Sequence, residues 1–376
     1  MASVLARDIN MEIAGIFRDL GVAHASPHGR MAYKRAAQAV LALDEPLDVL
    51  AARGGIRQIP GIGPTTETII QEYLREGASP TAERAIERSE KRDEVRALHA
   101  HRSHFLSRAA VAGAFRARRA KGVMAPSDYK GDLQMHTEWS DGGESIASMA
   151  QAAMGRGYSY IGVSDHSYGL RIARGMSMAD AARQRREIER LNKGWDGEFS
   201  VIQGIEANIP LEGGVDMTSE EIAQFDVVLA APHSRLRRAE DQTDRMLATV
   251  RHPGVHVLAH PRGRMYSRQG VLARWDEVFE AAARHDVAIE LDGDPYRQDL
   301  DYATAKGALK AGCLFALDSD AHSGRELAYA EIAIAHARLA GIPAKRVINT
   351  WPAEDLLEWA ERKRRPKRTR TKRARR

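Results

Sequence analysis

The sequence predicts an α/β chain: seven parallel-strand βα units closing into a barrel, preceded by a small all-α domain. Two observations carry the barrel. From Asp132 onward, seven apolar runs of strand length alternate with amphipathic, helix-length segments: DLQMH, YIGVSDH, SVIQGIEANI, DVVLAAPH, VHVLAHP, VAIELDGDP and LFALDSDAH. That alternation is the signature of βα units on a parallel sheet. The runs also share an ending, since each stops at or just beyond a His, Asp or Glu. In β/α barrels functional residues gather at the C-terminal ends of the strands. A third observation, short helical stretches broken by Gly and Pro over residues 8 to 78, sets the small domain apart.

The chain has 376 residues, 43% hydrophobic and 28% charged, which fits a soluble globular protein of two domains. It contains no apolar run of 18 residues, and MASVLARDINMEIAG lacks a basic segment followed by an apolar core. Neither a membrane span nor a secretory signal is expected, and the location expected is the cytoplasm, with association to the nucleoid. Cys313 stands alone and reads as a buried structural thiol. The net charge of +5 divides unevenly. Residues 361–376, ERKRRPKRTRTKRARR, carry eleven Lys or Arg and one Glu, leaving the rest of the chain at −5. So dense a block is expected to be disordered and to attract polyphosphates without regard to sequence.

In the helical domain the stretches are DINMEIAGIFRDLGV, RMAYKRAAQAVLAL, PLDVLAARGG and GIRQIPGIGPTTETIIQEYLREG. In the second, Met31, Ala32, Arg35, Ala36, Ala39 and Val40 can line one helical stripe. In the fourth, Gly61 and Gly63 permit unusual backbone angles and let a phosphate approach the next helix's amides. This pattern resembles a helix-hairpin-helix, a binder of the DNA backbone, with Lys34 and Arg35 able to touch a phosphate. The order resembles the small N-terminal domain of family X DNA polymerases. Some members carry a lyase lysine after the hairpin; the matching residue is Ile69, which cannot form a Schiff base. Residues 79 to 130 read as a charged, solvated helical connector and linker. Its histidines read as structural, because His99 and His101 face opposite sides of a helix. The stretch leaves no room for polymerase fingers, palm and thumb.

The strand-end residues are His136, Asp165 with His166, Glu206, His233, His260, Glu290 with Asp292, and Asp320 with His322. So many imidazoles and carboxylates on one rim need a compensating cation. From about residue 130 to 350 the chain resembles the PHP (polymerase and histidinol phosphatase) family, closest to the PHP domain of bacterial family X polymerases. The matching stretches are DLQMHTEWSDG, IGVSDHS, GIEANI, APHS, LAHPRGR and SDAHS. The resemblance implies a distorted (β/α)7 barrel with three divalent ions. His136, Glu206 and Asp320 would hold the first, and Asp141, His166 and His322 the second. Glu206 would bridge to a third held by His233 and His260. Gln134 replaces the family's first histidine and should weaken the first ion. The donors suit Mn, Zn or Fe, and the polymerase-linked branch leans toward Mn.

Such ions activate a water and clamp phosphoryl oxygens, so phosphoester hydrolysis is expected. Asp165 is assigned a catalytic, orienting role. Arg171, Arg174, Arg262 and Arg264 can clamp phosphates, or remain surface arginines. Glu290, Asp292 and Asp294 read as supporting residues, and Arg297 as a structural partner of Asp299. The domains expected are a helix-hairpin-helix over 1–78, the connector over 79–130, the PHP phosphoesterase over 131–355 and a basic tail over 356–376. The function expected is a DNA 3′-5′ exonuclease or 3′-end-processing enzyme of DNA repair, binding DNA through its backbone without sequence preference. No organic cofactor or membrane partner is expected. The alternatives are a small-molecule phosphatase of the histidinol-phosphatase type and a non-catalytic DNA-binding scaffold.

Overall fold

The structure, a computed structural model, describes residues 7–364. Asp8 opens helix α1 (Ile9–Ala23), its carboxylate accepting from the Met11 amide. Ser26 caps α2 (Pro27–Leu41) in the same way through the Gly29 amide. Such caps satisfy amides that a helix's first turn leaves without partners. α1 and α2 pack through Ile13, Phe17, Ala36, Ala37 and Val40, with Ile69 and Ile70 completing the core. The buried stripe of α2 is therefore not the one expected, because Met31 is 50% exposed and Arg35 also faces solvent.

After α3 (Leu47–Ala52) the hairpin leads into α4 (Pro64–Glu76). Gly61 sits at φ +83°, a left-handed turn that favours glycine. Gly63 does not share this role. It is extended at φ −111°, and its N–H donates to Thr66 Oγ1 at 2.8 Å, setting the entry to α4.

The stretch expected to be a solvated connector is instead a seam. It forms α5 (Pro80–Glu87), α6 (Arg92–Ala100) and α7 (Arg108–Arg116). Arg102 is buried, donating to the Gly15 carbonyl at 3.1 Å and pairing with Asp19, which also holds His99. Phe105 stacks on Tyr266 of the barrel with ring centres 4.2 Å apart. Asp8, besides capping α1, accepts from the Ser107 amide and hydroxyl at 2.8 and 2.7 Å. The charges seen in the sequence are thus partly spent tying the helical module to the barrel.

The barrel strands are β1 (Gly131–Asp132), β2 (Tyr160–Val163), β3 (Ser200–Asn208), β4 (Val227–Ala231), β5 (Val257–Leu258), β6 (Ala288–Asp292) and β7 (Leu314–Asp318). They pair in parallel in sequence order. A Met135–Ala321 bridge, with His136 N–H donating to Ala321 O at 2.8 Å, draws the last strand end to the first and nearly closes the ring. At the opposite end, Leu356, Trp359 and Ala360 of the helix Ala353–Arg364 pack on Tyr160, Val227, Val257 and Ala288. His256 accepts from the Val228 amide and donates to Ala360 O at 3.0 Å, fastening that helix. The tail expected from residue 356 therefore begins as a structural helix, because Trp359 is an apolar plug for the barrel; residues 365–376 lie outside the described residues. No helix among those described is long and apolar enough to cross a membrane.

Candidate metal centre

Each strand delivers its polar residues at its C-terminal end. After β1 the chain turns sharply, so that His136 and Asp141 come within 4.0 Å of each other. Gly142 makes that turn possible, since a Cβ there would lie 2.3 Å from the His136 carbonyl oxygen. Glu206 on β3 is the centre of the arrangement. Its Oε2 lies 3.2 Å from His136 Nε2 and 3.3 Å from His166 Nδ1; its Oε1 lies 3.2 Å from His233 Nε2 and 2.9 Å from His260 Nε2. Asp320 Oδ1 stands 3.0 Å from His136 Nε2. Asp141 Oδ1 is 3.5 Å from both His166 and His322 Nε2. Seven of the eight residues expected to bind metal thus line one cavity of about 260 Å³, and the eighth, His136, is buried against Glu206 and Asp320 in its wall.

Three donor groups fall within single-ion reach: His136, Asp141, His166 and His322; His166, Glu206 and His233; His136, Glu206 and Asp320. Their electrostatics fit divalent cations. His136 Nδ1, His166 Nδ1, His260 Nδ1 and Glu206 Oε2 are buried without hydrogen-bond partners. The His136 and His166 rings stack at 4.3 Å, a poor arrangement for two imidazolium ions. Burial pulls His166 down to about 4. Burial alone would raise Glu206, but the imidazoles of His166, His136, His233 and His260 reverse this and hold it well below its usual range. Imidazole nitrogens gathered around a buried carboxylate are a donor set suited to divalent cations.

Below the rim lies a second polar layer, Asp132, Glu290 and Asp318, fully buried. Burial pushes Asp318 up to about 6, and burial with neighbouring carboxylates raises Asp132 and Glu290 well above their usual values. Glu290 accepts from the His260 amide and so holds one ligand's backbone. Two ligands, His260 at φ +25° and Asp320 at φ +53°, occupy left-handed backbone that non-glycine residues rarely adopt.

The helix-hairpin-helix domain family matches residues 8–79. The DNA polymerase/3′-5′ exonuclease PolX of Bacillus subtilis is 32% identical over 235 residues, covering 62% of this chain and 41% of that protein. The chain thus spans less than half the length of that relative. The probable phosphatase YcdX of Escherichia fergusonii is 30% identical over 244 residues, covering 61% of this chain and 93% of the relative. The chain belongs to the PHP family. A crystal structure of histidinol phosphate phosphatase from Lactococcus lactis, complexed with zinc, histidinol and phosphate, aligns with a TM-score of 0.41 and 16% identity over 56% of this chain and 94% of that one.

As a PHP protein the chain is a metal-dependent phosphoester hydrolase, and several residues change role within its barrel. Asp165 does not face the ligands. It accepts from Thr137 N and Oγ1, Ser140 Oγ and Gln184 Nε2 at 2.5–2.8 Å, so it positions the loop carrying His136 and Asp141. Arg264 cannot clamp substrate. It is buried over the Phe105 ring and donates to the carbonyls of Ser103, Arg297 and Gln298. Arg262 is likewise spent on Asp299 at 2.8 Å and Asp301 at 2.7 Å. Arg171 and Arg174 remain exposed on the turn after β2, beside Ile172, which lines the cavity.

The arginine that sequence reading misplaced is Arg297. Its expected partner Asp299 holds Arg262, and Arg297 itself lies 2.9 Å from Asp320 and 3.3 Å from Asp292 in the cavity wall. Burial alone would raise Asp320; Arg297 first, then His136, reverse that and keep it ionised. A signal existed in the five-residue spacing from strand-end Asp292 to Arg297, though nothing local marks it.

Proposed function

We propose that this PHP protein hydrolyses phosphodiester bonds at DNA ends, as a 3′-5′ exonuclease or 3′-end-processing enzyme of DNA repair, on the nucleoid and with Mn as the favoured ion. The observation that carries this reading is the docking of the helix-hairpin-helix module beside the metal rim. Gln38 of α2 donates to Tyr296 OH at 2.9 Å, and Tyr296 immediately precedes Arg297 in the cavity wall. A duplex or strand held at Gly61 by Lys34 and Arg35, both exposed on α2, is thereby kept next to the hydrolytic centre. The basic run beyond Arg364 adds attraction to phosphate.

His136, Glu206 and Asp320 would hold one ion, Asp141, His166 and His322 another, and Glu206 with His233 and His260 a further one. Bound divalent ions supply Lewis acidity and lower the pKa of water to make a nucleophile at neutral pH. The chain's own contribution is orientation. Glu206 divides its two oxygens between two pairs of imidazoles, Asp165 fixes the first loop, and Glu290 fixes His260.

A second reading, hydrolysis of small phosphomonoesters, is favoured by the match to 93% of a relative named as a phosphatase. One assay separates the two. The full chain is given Mn with 5′-labelled single- and double-stranded DNA and, separately, p-nitrophenyl phosphate, each with and without EDTA. Shortening of DNA from its 3′ end, abolished by EDTA and slowed by Lys34→Ala with Arg35→Ala, is the expected result. Turnover of the monoester alone would establish the second reading, and no metal-dependent turnover of either would leave a DNA-binding scaffold.

A further inference from the structure

We propose that Arg297 is a resident counter-cation of the metal centre: its fixed charge stands in for an ion at the Asp320 corner, so that the chain holds two divalent ions tightly and a third only weakly. The inference rests on the metal-dependent reading of the same rim and adds its ion count.

The Asp320 corner differs from the other two in three ways. First, Asp320 is divided between partners, Oδ1 facing His136 Nε2 at 3.0 Å and Oδ2 facing Arg297 Nη1 at 2.9 Å. The same guanidinium nitrogen lies 3.3 Å from Asp292, so one permanent cation already serves two carboxylates there. Asp141 and Glu206, by contrast, form ion pairs only with histidines among the described residues. Second, among the described residues Asp320 has one imidazole within ion-pair reach, His136, whereas Asp141 has three and Glu206 four. Gln134, two residues before His136, is completely buried with both amide atoms unpartnered, and it is the rival cause of a weak third ion, since an uncharged amide oxygen is a weaker donor than imidazole. Third, Arg297 cannot easily withdraw. Its backbone N–H donates to Asp294 O at 2.9 Å, its carbonyl accepts from Arg264 at 3.1 Å, and its neighbour Tyr296 is held by Gln38. A divalent ion entering beside Asp320 meets a like charge that stays in place.

The test counts ions, not turnover. Full-length wild type, Arg297→Met, Arg297→Lys and Gln134→His are loaded with Mn, dialysed against a weak chelator, and analysed by inductively coupled plasma mass spectrometry. Titration of the free-Mn electron paramagnetic resonance signal supplies affinities. Two retained ions are expected in wild type, in Arg297→Lys and in Gln134→His, and three in Arg297→Met, with third-ion affinity raised at least ten-fold. Three equally tight ions in wild type, or no gain in Arg297→Met, would overturn the proposal. Should Arg297→Met fail to fold by circular dichroism, Gln134→His decides: a third tight ion in that variant would show that the missing imidazole sets the count. A chain that retains no ion in any variant fails the metal reading itself, an outcome distinct from either.

Discussion

The metal rim and the hairpin hold their working atoms by opposite means. At the rim, buried side chains converge on one carboxylate, and two of the ligands sit on left-handed backbone. At the hairpin, a single left-handed glycine shapes the main chain, and the charges nearby are exposed. A buried convergent site depends on individual atoms, because nothing in a low-dielectric interior substitutes for a missing charge. An exposed backbone-and-charge surface is graded, since each phosphate contact contributes modestly and is screened by salt.

The largest expected effect tests the first half of that contrast. Glu206→Gln removes the charge on which four imidazoles converge. Phosphoester turnover should fall about three orders of magnitude, the several kcal/mol that ions contribute to transition-state charge, while DNA affinity stays within two-fold by gel shift. Comparable loss of both would erase the distinction. Next comes Asp165→Asn, which loosens the loop bearing His136 and Asp141 without touching the cavity. Metal affinity should fall roughly 10–100-fold, as it does when a ligand's supporting hydrogen bond is lost, and excess Mn should restore most turnover. Failure of excess metal to rescue would mean that Asp165 acts on the reaction directly.

The joint between the regions has its own signature. His336 is buried, donates from Nε2 to Gln298, and accepts the Tyr302 amide at Nδ1; Gln298 in turn accepts from the Leu106 amide. Burial pulls His336 down to about 3, with Arg264 and Arg262 adding to that pull and Asp301 opposing it. Its unfolded value is higher, near 6.5, so between about pH 6.5 and 3 the unfolded chain takes up a proton that the folded one refuses. Stability is therefore full above pH 6.5 and declines on acidification, by about 2 kcal/mol at pH 5 for this group. His336→Gln should flatten the fall in melting temperature between pH 7.5 and 5; an unchanged slope would remove His336 from the account. The smallest effect belongs to the hairpin surface. Lys34→Ala and Arg35→Ala should each weaken DNA binding a few-fold at all sequences and lower the salt slope by about one, leaving monoester turnover alone.

The barrel was legible because a strand run ending in His, Asp or Glu is a local pattern, repeated seven times. Glu206 and the DxH pair at Asp320 and His322 announce themselves within a few residues. What escaped was set by partners far along the chain. Arg297 does not take the partner that proximity suggests, since Asp299 lies nearer to it in sequence than Asp320 yet binds Arg262. Arg264 looked like a rim residue until Phe105 and Ser103, some 160 residues earlier, folded over it. Trp359 was lost in a basic tail because its burial depends on the open end of a barrel that no local window contains.

The seam also decides what a protease would do. From the end of α7 toward the barrel, Arg116, Arg118, Arg119 and Lys121 lie exposed in one short basic run. Arg338, from the barrel helix Ala330–Ala340, reaches across it to the carbonyls of Ala114 before the run, Ala117 within it and Met124 after it. Trypsin cutting there would sever the covalent chain and leave both pieces gripped by the same guanidinium. The nicked protein would elute from gel filtration as one particle, separating only when denatured.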